Sequence, residues 1–224
     1  ALLIKNTAGQ YDSVEIYYSK KDSEPWIAIK EGAFTPTQVY DTERNGQKIQ
    51  GTRSISVLKI DNELPSVTIS LGDVLDITTP DKSSLWSPQS LYQQTVDIAG
   101  YCPCTINLGG GYPEMISKRS LPSWQYAHKW QANALLGLIE ANNYEAVFTH
   151  IHSVDHVGHA CWRWAKTREC YGNNDEKVYQ GFLEQIYFQV DEYVGRLMPL
   201  LDQGWTLILT SDHGLLCSEE DELP

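Results

Sequence analysis

Trp205-Thr206-Leu207-Ile208-Leu209-Thr210-Ser211-Asp212-His213-Gly214 is the stretch on which the fold turns. An apolar, β-branched run ends abruptly in Asp-His-Gly, and a short apolar run bounded by turn residues reads as a buried strand. The same pattern occurs upstream, where Ala146-Val147-Phe148-Thr149 precedes Asp155-His156-Val157-Gly158-His159. Each run delivers an Asp with a His close behind at its C-terminal end. In open α/β sheets that edge is where ligands bind.

Between the two runs, an amphipathic helix is expected from about Asn174 to Leu201. Tyr179, Phe182, Leu183, Ile186, Val190, Val194, Leu197 and Leu201 recur at intervals of three and four, which makes one buried stripe. Gly195 and Pro199 should bend or fray its end. Strand, long helix, strand is the crossover of a parallel sheet, right-handed by general rule. The expected fold class is therefore α/β, with the Val147 and Leu207 strands parallel in one sheet and Asp155 and Asp212 beyond the same edge. Two further helices are expected upstream. One is opened by Ser87-Pro88 and carries Leu91, Val96 and Ile98. The other runs from about Pro122 to Glu140 with Trp124, Ala127, Leu135, Leu136 and Ile139.

Residues 1–85 read differently. Val14-Glu15-Ile16-Tyr17-Tyr18, Ser54-Ile55-Ser56-Val57-Leu58-Lys59-Ile60 and Val67-Thr68-Ile69-Ser70-Leu71 alternate, and turn clusters such as Arg44-Asn45-Gly46-Gln47 punctuate them. The expected organisation is a β-rich accessory subdomain, 1–85, followed by an α/β portion, 86–224, that carries the chemistry.

Carboxylate oxygen and imidazole nitrogen are ligands that borderline divalent metals prefer. Asp155 and His159 lie four apart, so on a helix they project from one face. Asp212 and His213 are adjacent and can converge only where the strand breaks into a loop, which Gly214 permits. Four such ligands on two neighbouring strand ends suit two ions better than one. Paired ions clamp both the attacking and the leaving oxygen of a phosphoryl displacement. His152, nearer the site than His150, is placed to orient a ligand from behind. His150 reads as a satisfied core residue, and His128 and His156 receive no role. Gly109-Gly110-Gly111 lacks a following Lys-Ser/Thr and reads as a plain turn.

A net charge of −12 argues against a nucleic-acid polymer as partner, since such a partner requires Lys and Arg to displace counterions. A small phosphate ester remains admissible because bound divalent metal reverses the local sign. No stretch approaches the ~20 apolar residues of a membrane span. The five cysteines, Cys102, Cys104, Cys161, Cys170 and Cys217, are odd in number and irregular in spacing. They suggest no disulfide framework, and a reducing, cytoplasmic setting is expected.

Residues from about Ser87 to Leu215 resemble the alkaline phosphatase superfamily, in its type I phosphodiesterase and nucleotide pyrophosphatase branch. Within it they look most like the predicted phosphohydrolase/phosphomutase group. The resemblance rests on Asp155-His156-Val157-Gly158-His159-Ala160-Cys161-Trp162-Arg163-Trp164, on Gln189-Val190-Asp191-Glu192-Tyr193-Val194-Gly195 and on Thr210-Ser211-Asp212-His213-Gly214. It implies a three-layer sandwich around a parallel sheet and hydrolysis of phosphate esters with two ions, usually zinc and sometimes manganese. By that match Asp155 and His159 belong to one ion, Asp212 and His213 to the other. It also implies a Thr or Ser nucleophile and a metal-binding Asp from earlier strand ends, and a later metal-binding His. None of these has a counterpart here, so the chain is expected to be an internal portion of a longer enzyme, inactive alone. A phosphomutase or sulfatase-like enzyme on the same scaffold, or a non-catalytic binding module, are the rival expectations.

Overall fold

The computed structural model describes residues 1–64, 66–78, 86–103, 112–165 and 176–215. The Gly109-Gly110-Gly111 turn and Cys104, Cys170 and Cys217 lie outside them. The chain divides into two compact units, Ala1–Asn107 and Leu108–Pro224.

The first unit holds two antiparallel sheets. Strands β1 (Leu2–Thr7), β2 (Gln10–Ile16) and β3 (Ile27–Lys30) form one, in that order. Strands β4 (Phe34–Arg44), β5 (Gln47–Asp61) and β6 (Ser66–Leu71) form the other, with β7 (Leu75–Asp76) also paired to β5. The β4–β5 hairpin closes through Asn45 and Gly46, both at positive φ (52° and 77°). Asn-Gly matches that need, because a two-residue hairpin turn with the right twist requires left-handed backbone at both central positions. Val14 and Ile29 from one sheet share a core with Ile55, Val57 and Ile60 from the other. A short helix, α1 (Ser90–Ala99), also belongs to this unit. Its N-cap is Gln89, without a side-chain cap bond, so Ser87-Pro88 precedes the helix and does not cap it.

In the second unit every described element is helical. A short helix, α2 (Pro113–Met115), runs through a π-helical stretch, Ile116–Ser120, into α3 (Leu121–Ala141). Then come α4 (Ser153–Ala165), α5 (Glu176–Leu197) and α6 (Pro199–Asp202). Both α3 and α4 pack on α5. One core cluster joins Ile116, Leu121, Val157, Cys161, Tyr179, Phe182, Leu183 and Ile186. A second joins Ala132, Tyr193 and Leu197. Most of the expected stripe on α5 is thus buried, but Leu201 is exposed in α6 and Tyr193 takes a core place instead. The helix stops at Leu197, just before Met198-Pro199; the residue preceding a proline is biased away from helical backbone.

The expected parallel sheet does not form among the described residues. Both sheets among the described residues are antiparallel, and no strand forms at residues 146–149 or 205–210. A strand exists only through its ladder, and a run apolar at consecutive positions needs cover on both faces. Neither run has that cover: Phe148 is 97% exposed and Ile208 81%. The architecture described is mixed α and β, with sheets in one unit and helices in the other. No described helix is long and apolar enough to cross a membrane.

Candidate metal centre at the start of helix α4

The segment entering α4 is held by its neighbours before any ligand is considered. Gln131 on α3 donates through Nε2 to Thr149 Oγ1 (2.8 Å) and to the His150 carbonyl (2.9 Å). Thr149 Oγ1 also meets the Tyr193 hydroxyl of α5 at 3.1 Å. Ser153, the first residue of α4, is fully buried, and its Oγ lies 2.8 Å from His128 Nε2. Burial pushes the His128 imidazole down from 6.5 to about 4, so it is neutral. The helix start is therefore fixed from two sides. Asp155 sits in its first turn, where a carboxylate is favoured by the positive end of the helix dipole.

Asp155 is the hub. Its Oδ2 lies 2.8 Å from His152 Nε2, and its Oδ1 lies 3.1 Å from His159 Nε2 and 3.8 Å from His213 Nε2. The Asp155–His159 spacing of four behaves as expected for one helix face. Oδ1 is buried, yet it accepts no hydrogen bond of proper geometry, although His159 stands at ion-pair distance. A buried carboxylate oxygen that accepts no well-formed hydrogen bond is costly.

The loop 211–215 brings His213 in. Ser211 Oγ donates to the His213 carbonyl (2.6 Å), and the His213 amide donates to Asp212 Oδ1 (3.1 Å). His213 Nδ1 lies 3.1 Å from the Gly214 carbonyl. A carbonyl can only accept, so Nδ1 carries the hydrogen and neutral His213 turns the lone pair of Nε2 outward. That lone pair faces two carboxylates, Asp155 Oδ1 and Asp212 Oδ2, each 3.8 Å away. The Gly214 carbonyl, then Asp212, hold the His213 pKa above its ordinary value. With the ring neutral, these acceptors face one another, an arrangement that either a proton on Nε2 or a bound cation satisfies. Asp212 reaches the group through His213 and is largely exposed. Gly158 makes the approach possible: a Cβ there would overlap the Leu215 side chain that follows the loop.

Two placements differ from the sequence reading. His150 is exposed, not a core residue, because its run lacks a sheet; its ring lies 5.2 Å from that of His152. His156, which received no role, packs its ring 4.5 Å from that of His152 and 5.5 Å from Trp124. Burial, then His152, lower its pKa. Among the described residues, His152, Asp155 and His156 form a group whose ligand atoms all lie within 4.8 Å of one another. The four-residue spacing of His152 and His156 was the signal available for it. Cys161 adds no ligand; burial pushes its thiol up to about 12.

Residues 77–221, well over half of the chain, match the family model for type I phosphodiesterase / nucleotide pyrophosphatase. The chain belongs to this family. Type I phosphodiesterases are part of the alkaline phosphatase superfamily, so the membership agrees with the resemblance carried by the Asp155 and Asp212 motifs. The family consists of hydrolases of the phosphodiesterase and pyrophosphatase type and is in general metal-dependent. No curated protein and no solved structure matches the chain.

Proposed function

We propose that this type I phosphodiesterase-family chain carries the metal-binding half of a phosphoric ester hydrolase centre. Asp155 and His159 would hold one divalent cation, and Asp212 and His213 a second, zinc or manganese by the donor set. One observation carries the reading: Asp155 Oδ1 is buried, accepts no hydrogen bond, and faces Nε2 of both His159 and His213. Two imidazole nitrogens converging on one buried carboxylate oxygen are a donor set suited to a divalent cation. When bound there, such ions supply Lewis acidity to a phosphoryl oxygen.

The side chains themselves do three things. His152 holds Oδ2 of Asp155 and so fixes the direction of Oδ1. The Gly214 carbonyl fixes the tautomer of His213. The exposure of His159, His213 and Asp212 leaves their ligand atoms open to a phosphate ester from solvent. The substrate is a small phosphodiester or phosphomonoester, since the net charge of −12 disfavours a polyanionic chain. The working compartment is the cytoplasm, and the attacking Thr or Ser is not supplied by residues 1–85.

The test is hydrolysis of an activated aryl phosphodiester by the full-length protein, with an aryl sulfate beside it. Activity should vanish with a chelator and return with zinc or manganese. Asp212→Asn and His159→Ala should each remove most of it. Activity that survives chelation or both substitutions refutes the assignment.

A further inference from the structure

Asp155 has a second side. Its Oδ2 meets His152, not His159 or His213, and His152 in turn packs on His156. The His156 amide donates to the His152 carbonyl at 3.1 Å, so the two residues sit one helical turn apart although α4 begins at Ser153. Imidazoles four positions apart on a helix lie on one face and can chelate a single ion. Their ring centroids are 4.5 Å apart, and the ligand atoms of His152, Asp155 and His156 are mutually within 4.8 Å. His156 is braced edge-on by Trp124, whereas the His152 side chain is 53% exposed and open to solvent. The pairing implied by the family resemblance uses Asp155 with His159 and leaves both of these histidines out.

We propose that His152, Asp155 and His156 form a further site for a divalent transition metal, one that shares Asp155 with the pair assigned to hydrolysis but uses its other oxygen and two other imidazoles. Two imidazoles and one carboxylate are three protein ligands of a four-coordinate zinc-type site, with water completing the shell. Magnesium and calcium, which require oxygen ligands, are poorly served by this set. The proposal needs only these three residues and stands whether or not the centre hydrolyses phosphate esters.

The experiment is a calorimetric titration of the tag-free, metal-stripped 224-residue chain with Zn2+. Changing His159→Ala together with His213→Ala removes both imidazoles on the Oδ1 side. That double variant should still bind one Zn2+, and Mg2+ should neither bind there nor compete. Adding His156→Ala, or the milder His156→Gln, should weaken this Zn2+ affinity by at least about tenfold, the lower end of what an altered metal environment costs. Circular dichroism on each variant separates lost ligation from lost folding. Should the triple variants fail to fold, Cu2+ bound to the double variant should show hyperfine coupling to two imidazole nitrogens. Absence of Zn2+ binding in the double variant, binding indifferent to His156, or a Cu2+ spectrum with fewer than two nitrogens overturns the site.

Discussion

Replacing His128 with Gln should flatten the acid sensitivity of the helical unit. His128 is 3% exposed, its Nε2 bonds Ser153, and its Nδ1 is buried without a hydrogen-bond partner. Protonation would place a full charge on a buried ring with one nitrogen unpaired, and burial brings the pKa from 6.5 to about 4. The unfolded chain takes up this proton more readily than the folded one. Stability from His128 is therefore complete above about pH 6.5, falls as pH drops from there, and stops falling near pH 4. The whole displacement is worth about 3 kcal/mol, and by about pH 5.5 about 1 kcal/mol of it is already lost. Urea unfolding followed by helical ellipticity, at about pH 7.5 and about pH 5.5, measures this. The wild-type chain should lose about 1 kcal/mol more than His128→Gln between the two conditions. Gln can still bond Ser153 but cannot titrate. Equal losses in both proteins would show that His128 is protonated without penalty, and the packing around Ser153 would have to be read afresh.

Three other perturbations have definite outcomes. Gly158→Ala should displace Leu215 and, with it, His213, and weaken Zn2+ affinity about tenfold, equal to about 1.4 kcal/mol; Leu215→Ala in the same chain should restore it, and failure to restore would uncouple the loop from α4. Ile186→Ala empties a fully buried position between α4 and α5 and should cost about 2–5 kcal/mol in urea unfolding; a loss under about 1 kcal/mol would mean that the core collapses around the gap. Tyr193→Phe removes the hydroxyl that meets Thr149 and should cost about 1 kcal/mol without affecting Zn2+ stoichiometry, both read by titration and unfolding of the same samples.

Local signals were the legible part of this sequence. The alternation through Val14 and Ile16 lies in β2, the Asn45-Gly46 pair turns a hairpin, and the three-and-four spacing on α5 buries Phe182 and Ile186. The Asp155 and His159 spacing was legible for the same reason, since one helix sets it. Sheet membership was not, because apolar runs such as 146–149 say that cover is needed but not what provides it. His128 was invisible for a related reason: its partner, Ser153, is 25 positions away and only tertiary packing joins them. His156 could have been found by asking which imidazoles share a helical turn with His152.

The two apolar stretches without a ladder also govern how the chain behaves in concentrated solution. Phe148, Ile208 and Leu209 stand out in water at 97%, 81% and 66% exposure, on backbone that forms no sheet. Near neutral pH the net charge of −12 keeps such surfaces on separate chains apart. Close to the isoelectric point, about 4.8, that repulsion disappears while the stickiness of the side chains does not. Purification by acid precipitation would press these apolar stretches of neighbouring chains together, and low-salt, slightly alkaline buffer is the condition under which the chain stays dispersed.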